Sequence, residues 1–552
     1  MDVYKTNLTG LLGLCAALYT GQKVLQPSSQ LDSTRTHDNK PICDATHADT
    51  PVDKAEEAKQ TKQTKLEERA LKARVSREAA AAAHAARASD FLIVYALVMA
   101  ADWLQGPSLY SLYTDEHGIP PAHVPLILAA GSAAGGVSAF FVGSAADLHG
   151  RKQACLVFCA TYAISCLLTV ASAWLPVLLA GRVLGGVSTS LLFSVFESWM
   201  VTDFWENEKY GTSMLLDDED TDDDNNDHDH DHNKNQNQNH NHDKSVSAAE
   251  RKKEKDEAER QASARLSQTF GQMGTLNSLA AIASGVFSDW VVGATGTAKA
   301  PFITSAVLLA VAAWRIRAVW EENYGDDESG GSVLAVLTDP PVLVMGLVST
   351  LFEGTVCLFV LFWTPALKEA ASAAVSLSPS FSLPHAIIFA SFMVAAMAAT
   401  LAFNVITAQL RLVRYVSLLL GLLVSAEFVF YFLSSSPESS DPSESSESSG
   451  ASGRSTSDRL SEQTMFWLFC LFEACVGAYW PCMGFLKGRL VPDGARAQVY
   501  ALLRVPLNLF VVAALLYTRD ESHGTVFGVC SSLLMVAIAG VLAMVLNEPN
   551  VP

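Results

Sequence analysis

Apolar stretches of about 20 residues, the length that crosses a bilayer as a helix, recur twelve times along the chain. They lie near 90–114, 124–146, 152–174, 177–200, 266–288, 301–320, 341–366, 384–408, 412–433, 463–487, 495–518 and 524–547. Six fall on each side of a charged loop, residues 321–340. A weaker apolar stretch, Leu8 to Leu25, precedes them, and no small-x-small cleavage site follows Cys15-Ala-Ala-Leu-Tyr-Thr. It therefore reads as a retained thirteenth span rather than a secretory leader. The pattern predicts an all-α membrane protein of two six-helix bundles with one extra N-terminal span. Its parts would be the span 1–25, a charged segment 26–89, a first bundle 90–320 carrying an insertion at 205–262, the central loop, and a second bundle 341–547 carrying a Ser-rich loop at 434–462.

Lys and Arg set the orientation. With Arg151 and Lys152 in the cytoplasm, alternation brings Arg315, Arg317, Arg411, Arg414, Lys487, Arg489 and Arg496 to the same side. The turns 115–123 and 171–176, which have no Lys or Arg, fall outside. Residues 26–89 and 205–262 are then cytoplasmic, the 434–462 loop is exterior, and Met1 faces out. The basic, alanine-rich 62–77 part of the first segment is expected to be an exposed helix.

Composition fits this picture: 50% of residues are hydrophobic and only 17% charged, against about a quarter in soluble chains. The net charge of -19 says nothing about a substrate once located, because ten acids lie between Asp217 and Asp231 and four between Glu438 and Glu447. Alternating Asp with His228, His230 and His232 fixes no coordination geometry, so 205–262 is expected to be a solvated insertion and not a metal site. The ten cysteines show no paired spacing and mostly sit in apolar runs, where they serve as small packing residues. A G-x4-G-K-[ST] phosphate loop does not occur, which disfavours ATP-driven work; neither a cofactor nor a nucleic-acid partner is expected.

Ionised side chains inside the spans carry the chemistry. Asp102, Arg182, Glu197, Glu353, Glu473 and Arg504 fall there, and at roughly 2.5–3.5 kcal/mol each they are too costly to be incidental. Asp102, Glu197, Glu353 and Glu473 stand on spans 1, 4, 7 and 10, the first helix of each successive three-helix unit. Such repeats place substrate and coupling sites near the membrane midplane. Glu197, near a cytoplasmic end, also suits a structural role, and Arg504, just before the helix-kinking Pro506, suits neutralisation by Glu473. Ser190, Ser194 and Glu197 share one face of span 4, with Arg182 about 60° away. The glycine pairs Gly131/Gly135 and Gly181/Gly185 read as close helix packing.

Between spans 2 and 3, Gly143-x3-Asp147-x2-Gly150-Arg151-Lys152 combines a sharp reversal, two bases and an acid placed to meet a helix N-terminus or an arginine. This string resembles the corresponding loop of the major facilitator superfamily, and Gly181-Arg182-Val-Leu-Gly185-Gly186 resembles its fourth-helix arginine motif. Asp102-Trp-Leu-Gln105-Gly-Pro107, Phe196-Glu197, Leu351-Phe-Glu353, Phe362-Trp-Thr-Pro365 and Arg504-Val-Pro-Leu507 resemble the eukaryotic molybdate-anion transporters of that superfamily, over about residues 88–547 and including the extra N-terminal span. The Asp/His/Asn insertion and the Ser-rich loop depart from that family's more compact loops.

The resemblance implies a monomeric, multi-pass plasma-membrane transporter, surrounded by lipid, that takes up molybdate by alternating access. Arg182, Arg504, Gln105 and Ser194 are the expected substrate contacts. Asp102, Glu197, Glu353, Glu473 and the 143–152 motif are the expected coupling and gating residues, with protons as the candidate coupling ion. A divalent oxyanion 4 Å from a bare carboxylate is repelled by about 8 kcal/mol at an effective dielectric near 20, so the acids must be paired with arginine or protonated. An exporter of organic cations would use the same acids unpaired, and a membrane sensor or scaffold would put function in 26–89 and 205–262.

Overall fold

The computed structural model describes residues 2–25, 82, 85–120, 123–220, 237–325, 333–374, 384–409, 414–435, 461–517 and 522–547, with side chains for all of these but 2, 24–25, 208–220, 237–258, 372–374 and 408–409. Backbone N–H and C=O groups have no water to bond in a bilayer core, and the helix satisfies them within one segment. The apolar stretches accordingly form helices: α1 (Asp2–Leu25), α2 (Ala85–Glu116), α3 (Val124–His149), α4 (Arg151–Ala171), α5 (Leu175–Asp220), α6 (Asn237–Thr295), α7 (Ala300–Val319), the short α8 (Val333–Leu337), α9 (Pro340–Ala374), α10 (His385–Gln409), α11 (Tyr415–Ser434), α12 (Glu462–Leu490), α13 (Arg496–Leu503), α14 (Val505–Tyr517) and α15 (His523–Asn547).

Among the described residues, twelve helices are long and apolar enough to cross a membrane: α2 to α7, α9 to α12, the broken α13–α14 segment Asp493–Tyr517, and α15. The chain divides into two units, one of residues 1–20, 91–203 and 263–552 and the other of residues 21–90 and 204–262. In the first unit α4 packs on α7, α3 on α13 and α14, α12 on α10 and α11, and α15 on α9 and α11. This is the expected all-helical, two-bundle architecture.

α1, the expected N-terminal span, is helical throughout and less apolar than the twelve. It packs along the second bundle: Tyr4 donates to Glu462 and packs edge-on against Phe466, Cys15 donates to the Val394 carbonyl at 3.4 Å, and Leu18 packs against the cluster of Cys15, Val394, Ala398 and Leu401. One expectation is corrected. Residues 205–262, expected to be a loop, carry helix at both ends, since α5 runs on to Asp220 and α6 begins at Asn237. Alanine with Glu, Lys and Arg over 248–262 favours helix enough to extend the span. Residues 221–236, most of 26–89 and residues 436–460 lie outside the described residues.

Glycine sets the closest helix approaches. A Cβ on Gly477 of α12 would overlap the Ala396 backbone of α10, and one on Gly186 of α5 would overlap the Gly131 carbonyl of α3. Gly421 has nothing within 4 Å. Gly477→Val is therefore expected to lower the folded, surface-expressed fraction at least tenfold, because backbone cannot yield as a flexible side chain can, whereas Gly421→Val should express normally; detergent-solubilised thermal melts of both variants check this. Orientation has its own check. In a cysteine-free background, a membrane-impermeant thiol reagent applied to intact cells should label Ser445→Cys and miss Asn235→Cys.

Candidate functional site

The break in the eleventh span builds the centre of the site. Pro506 has no N–H to donate, so the helix interrupts at Arg504, which ends α13 as α14 begins. The Arg504 carbonyl accepts from the Asn508 amide nitrogens of backbone and side chain, at 3.0 and 3.1 Å. Its side chain reaches Glu353 of α9, with Nη1 3.3 Å from Oε2. Tyr479 of α12 donates to Glu353 Oε1 at 3.3 Å and lies as close to Ser349 Oγ. The guanidinium stands 4.1 Å over the ring of Phe193, on α5 of the opposite bundle, and Phe193 stacks on Trp480 at 6.3 Å. A cation, an acid and an aromatic platform from both bundles thus meet here, and Glu353 is only 8% exposed.

The partner of Arg504 is Glu353 and not Glu473, as sequence had suggested. Glu473, 6% exposed on α12, has no cation within ion-pairing distance among the described residues. Seven residues separate Glu473 from Trp480, which puts both on one face of α12, about two turns apart. Asp102 on α2 accepts from the Tyr162 hydroxyl of α4 at 2.5 Å. Glu197 faces Lys487 of α12 at 3.6 Å, and Lys487 lies over the Tyr500 ring. The four acids therefore occupy four different environments rather than one repeated one, because each faces whatever its neighbouring helix presents.

Arg182 and Arg504 do not share a site. Arg182 directs Nη2 to Thr169 Oγ1 at 3.4 Å, and its guanidinium lies 5.7 Å from the Tyr113 ring centroid. Eleven residues separate Arg182 from Phe193, about 16 Å along α5 and within about 20° of the same face, so one small anion cannot bridge the two arginines here. Gln105 and Ser194 are buried, and their side chains donate one turn back, to the carbonyls of Ala101 and Ser190. That bonding is local to the helix.

At the opposite end, the 143–152 motif joins the bundles. Asp147 does both things its sequence allowed: it pairs with Arg151 at 2.8 Å, and it accepts from the backbone N–H groups of Ala497 and Gln498, at 3.3 and 2.9 Å, in the first turn of α13. Arg151, fully buried, reaches Asp493 at 3.1 Å and Thr202; Thr202 and Arg496 both bond Asp493 as well. Gly143 is needed because a Cβ there would run into Ala497 and Gln498. Gly150 is needed twice over, for φ +109° and because the Glu322 carboxylate fills the place of a side chain. Glu322 caps α4 by accepting from the Lys152 and Gln153 N–H groups at 2.7 and 3.2 Å, while Lys152 Nζ donates to the Trp320 carbonyl at 2.6 Å. Burial pushes the Glu322 carboxyl up, against the backbone N–H groups that favour its charge.

Several participants escaped the sequence reading. Asp493 and Arg496 lie in a Pro-Asp-Gly turn whose chemistry matches the 143–152 turn, a legible signal. Glu427 is a further acid inside a span, on α11, and accepts from Ser531 of α15 at 3.0 Å. Its place in the apolar run 412–433 was visible. Tyr162 and Tyr479 gave no signal, because a tyrosine in an apolar run reads as core. Among the described residues no group of three His, Cys, Asp or Glu could hold a metal ion.

Among the described residues, twelve helices able to span, in two bundles joined by Arg504 over Phe193 and by charged pairs at the 150–152 end, are the arrangement of a membrane transporter. Residues 66–216 and 253–447 match the family described as sugar transporters with 12 transmembrane segments, and the chain belongs to this family of the major facilitator superfamily. Among curated proteins it is similar to the molybdate-anion transporter of Xenopus tropicalis, 27% identical over 467 residues covering 82% of this chain and 85% of the relative. It is likewise similar to that of Takifugu rubripes, 26% identical over 499 residues, 82% of this chain and 86% of the relative. Solved structures of the same fold include a human organic anion transporter, at 14% identity, TM-score 0.51 and coverage of 82% and 98% of the two chains. A major facilitator superfamily transporter in the outward conformation matches at 10% identity, TM-score 0.54 and coverage of 83% and 98%.

Proposed function

We propose that this protein is a secondary transporter that takes up molybdate across the plasma membrane by alternating access, coupled to protons. The observation that carries the reading is the Arg504–Glu353 pair, held against Phe193 of the opposite bundle. The names of the relatives support molybdate as the substrate. Arginine suits such a substrate, because its planar fork of donors fits an oxyanion and it does not lose its charge.

Glu353 supplies the coupling. While charged, it occupies the Arg504 guanidinium and repels a divalent anion by several kcal/mol. A proton on Glu353 removes that repulsion and frees the fork, so anion and proton load together. The bonds that join the bundles at Asp147, Arg151, Glu197 and Thr202 all lie at the 150–152 end, which we read as a state closed to the cytoplasm and ready to load from outside. Rocking of the bundles then breaks those bonds and exposes Arg504 inward.

Initial rates of labelled molybdate uptake, measured against external pH in cells expressing the protein and normalised to surface protein, test this. Uptake should rise as external pH falls, and Glu353→Gln should flatten that dependence while preserving molybdate exchange. A wild type whose uptake matches that of non-expressing cells at every pH would refute the reading.

A further inference from the structure

We propose that Arg182, Tyr113 and Thr169 form a second, outer oxyanion site that a molybdate ion occupies before Arg504 is released, so that two sites act in series. This rests on the transport reading above. Three observations place the site. First, Arg182 has no carboxylate within 4 Å among the described residues, whereas Arg504 is already held by Glu353. Second, Arg182 Nε is buried with no hydrogen-bond partner, and the Tyr113 hydroxyl, on a side chain with no exposed surface, faces the Thr169 hydroxyl without a well-aligned hydrogen bond. Third, these groups converge: the guanidinium lies 5.7 Å from the Tyr113 ring, and Arg182 Nη2 is 3.4 Å from Thr169 Oγ1.

Buried donors left unbonded are rare, because each loses its hydration without replacement. Here a guanidinium and a phenol meet at Thr169, and no acid pairs with the guanidinium among the described residues; together they supply what an oxyanion needs: a fixed positive charge, a fork and a neutral donor. Thr169 orients the guanidinium and is itself anchored, donating to the Ser165 carbonyl at 2.8 Å.

Position gives the site its order. Thr169 is two residues from the end of α4 and Arg182 seven residues into α5, on either side of the turn 172–174. That turn is exterior in the orientation set by Lys and Arg. The central pair lies about 16 Å deeper along the same face of α5, so an ion arriving from outside meets Arg182 first. Residence there requires no proton on Glu353; advance to Arg504 does.

Molybdate binding to the purified full-length protein at fixed pH, by isothermal titration, separates the two sites. Arg182→Gln should weaken binding at least tenfold and Arg182→Lys, which keeps charge but loses the fork, about fivefold. Tyr113→Phe, which removes only the hydroxyl, should weaken it about threefold to tenfold. The double variant Arg504→Gln/Glu353→Gln, which leaves no buried charge unpaired, should keep the dissociation constant within about threefold and yet abolish uptake. Wild-type affinity in both Arg182→Lys and Tyr113→Phe, or loss of binding in the folded double variant, would overturn the outer site while leaving the molybdate reading intact. A wild type that transports molybdate but gives no titration signal would also overturn the outer site, and one that neither binds nor transports it would sink both.

Discussion

Arg504→Gln is expected to reduce molybdate uptake to background, and the double variant Arg504→Gln/Glu353→Gln is expected to recover folding without recovering transport. The reasoning separates two effects of one substitution. Removing Arg504 alone leaves Glu353 buried without its cation, and breaking a buried pair in this way costs about 3–5 kcal/mol. Removing both charges leaves Tyr479 and Ser349 able to hydrogen-bond the new amide, so the thermal melt should return near that of the wild type. If the double variant also transports at the wild-type rate, the pair is a structural staple and the oxyanion is handled elsewhere. Glu353→Gln by itself should bind and exchange molybdate, because Arg504 is then permanently free.

Asp147→Ala should cost at least tenfold in uptake and shift the protein toward exposure of its 150–152 end. Asp147 is buried, and its two oxygens accept from Arg151 and from two backbone N–H groups of the other bundle. Its loss leaves Arg151 relying on Asp493 and leaves the first turn of α13 uncapped. Charge-assisted bonds of this kind contribute about 1.5–3 kcal/mol each, enough to reverse an equilibrium between two states that differ by a few kcal/mol. Asp147→Asn keeps one acceptor and should fall between the two. A cysteine introduced at Gln498 reports the shift: its modification rate by a thiol reagent in inside-out vesicles should rise severalfold in Asp147→Ala, and an unchanged rate would show that the lock lies in Arg151 and Asp493 instead.

Sequence made the twelve spans, the 143–152 turn and the break before Pro506 legible, because each rests on local chemistry: run length, glycine with paired bases, and a missing N–H. What depends on helix rotation was not legible. Glu353 and Glu473 are equally deep acids on two helices of one bundle, and only the packing of α9 against α12 and α14 decides that Arg504 meets Glu353. The separation of Arg182 from Arg504 has the same origin, since Arg182 lies about 16 Å along α5 from Phe193, the ring that Arg504 covers. Glu427 is different in kind: the acid was plain in the sequence, and its meeting with Ser531 shows that an intramembrane charge can serve the contact between α11 and α15.

The most direct test of molybdate transport is uptake by purified protein reconstituted in vesicles with an inward proton gradient, comparing labelled molybdate with sulfate and with an organic cation. Molybdate should accumulate, accumulation should collapse when a protonophore is added, and the organic cation should not move. Gradient-driven movement of the organic cation with none of molybdate would contradict the account.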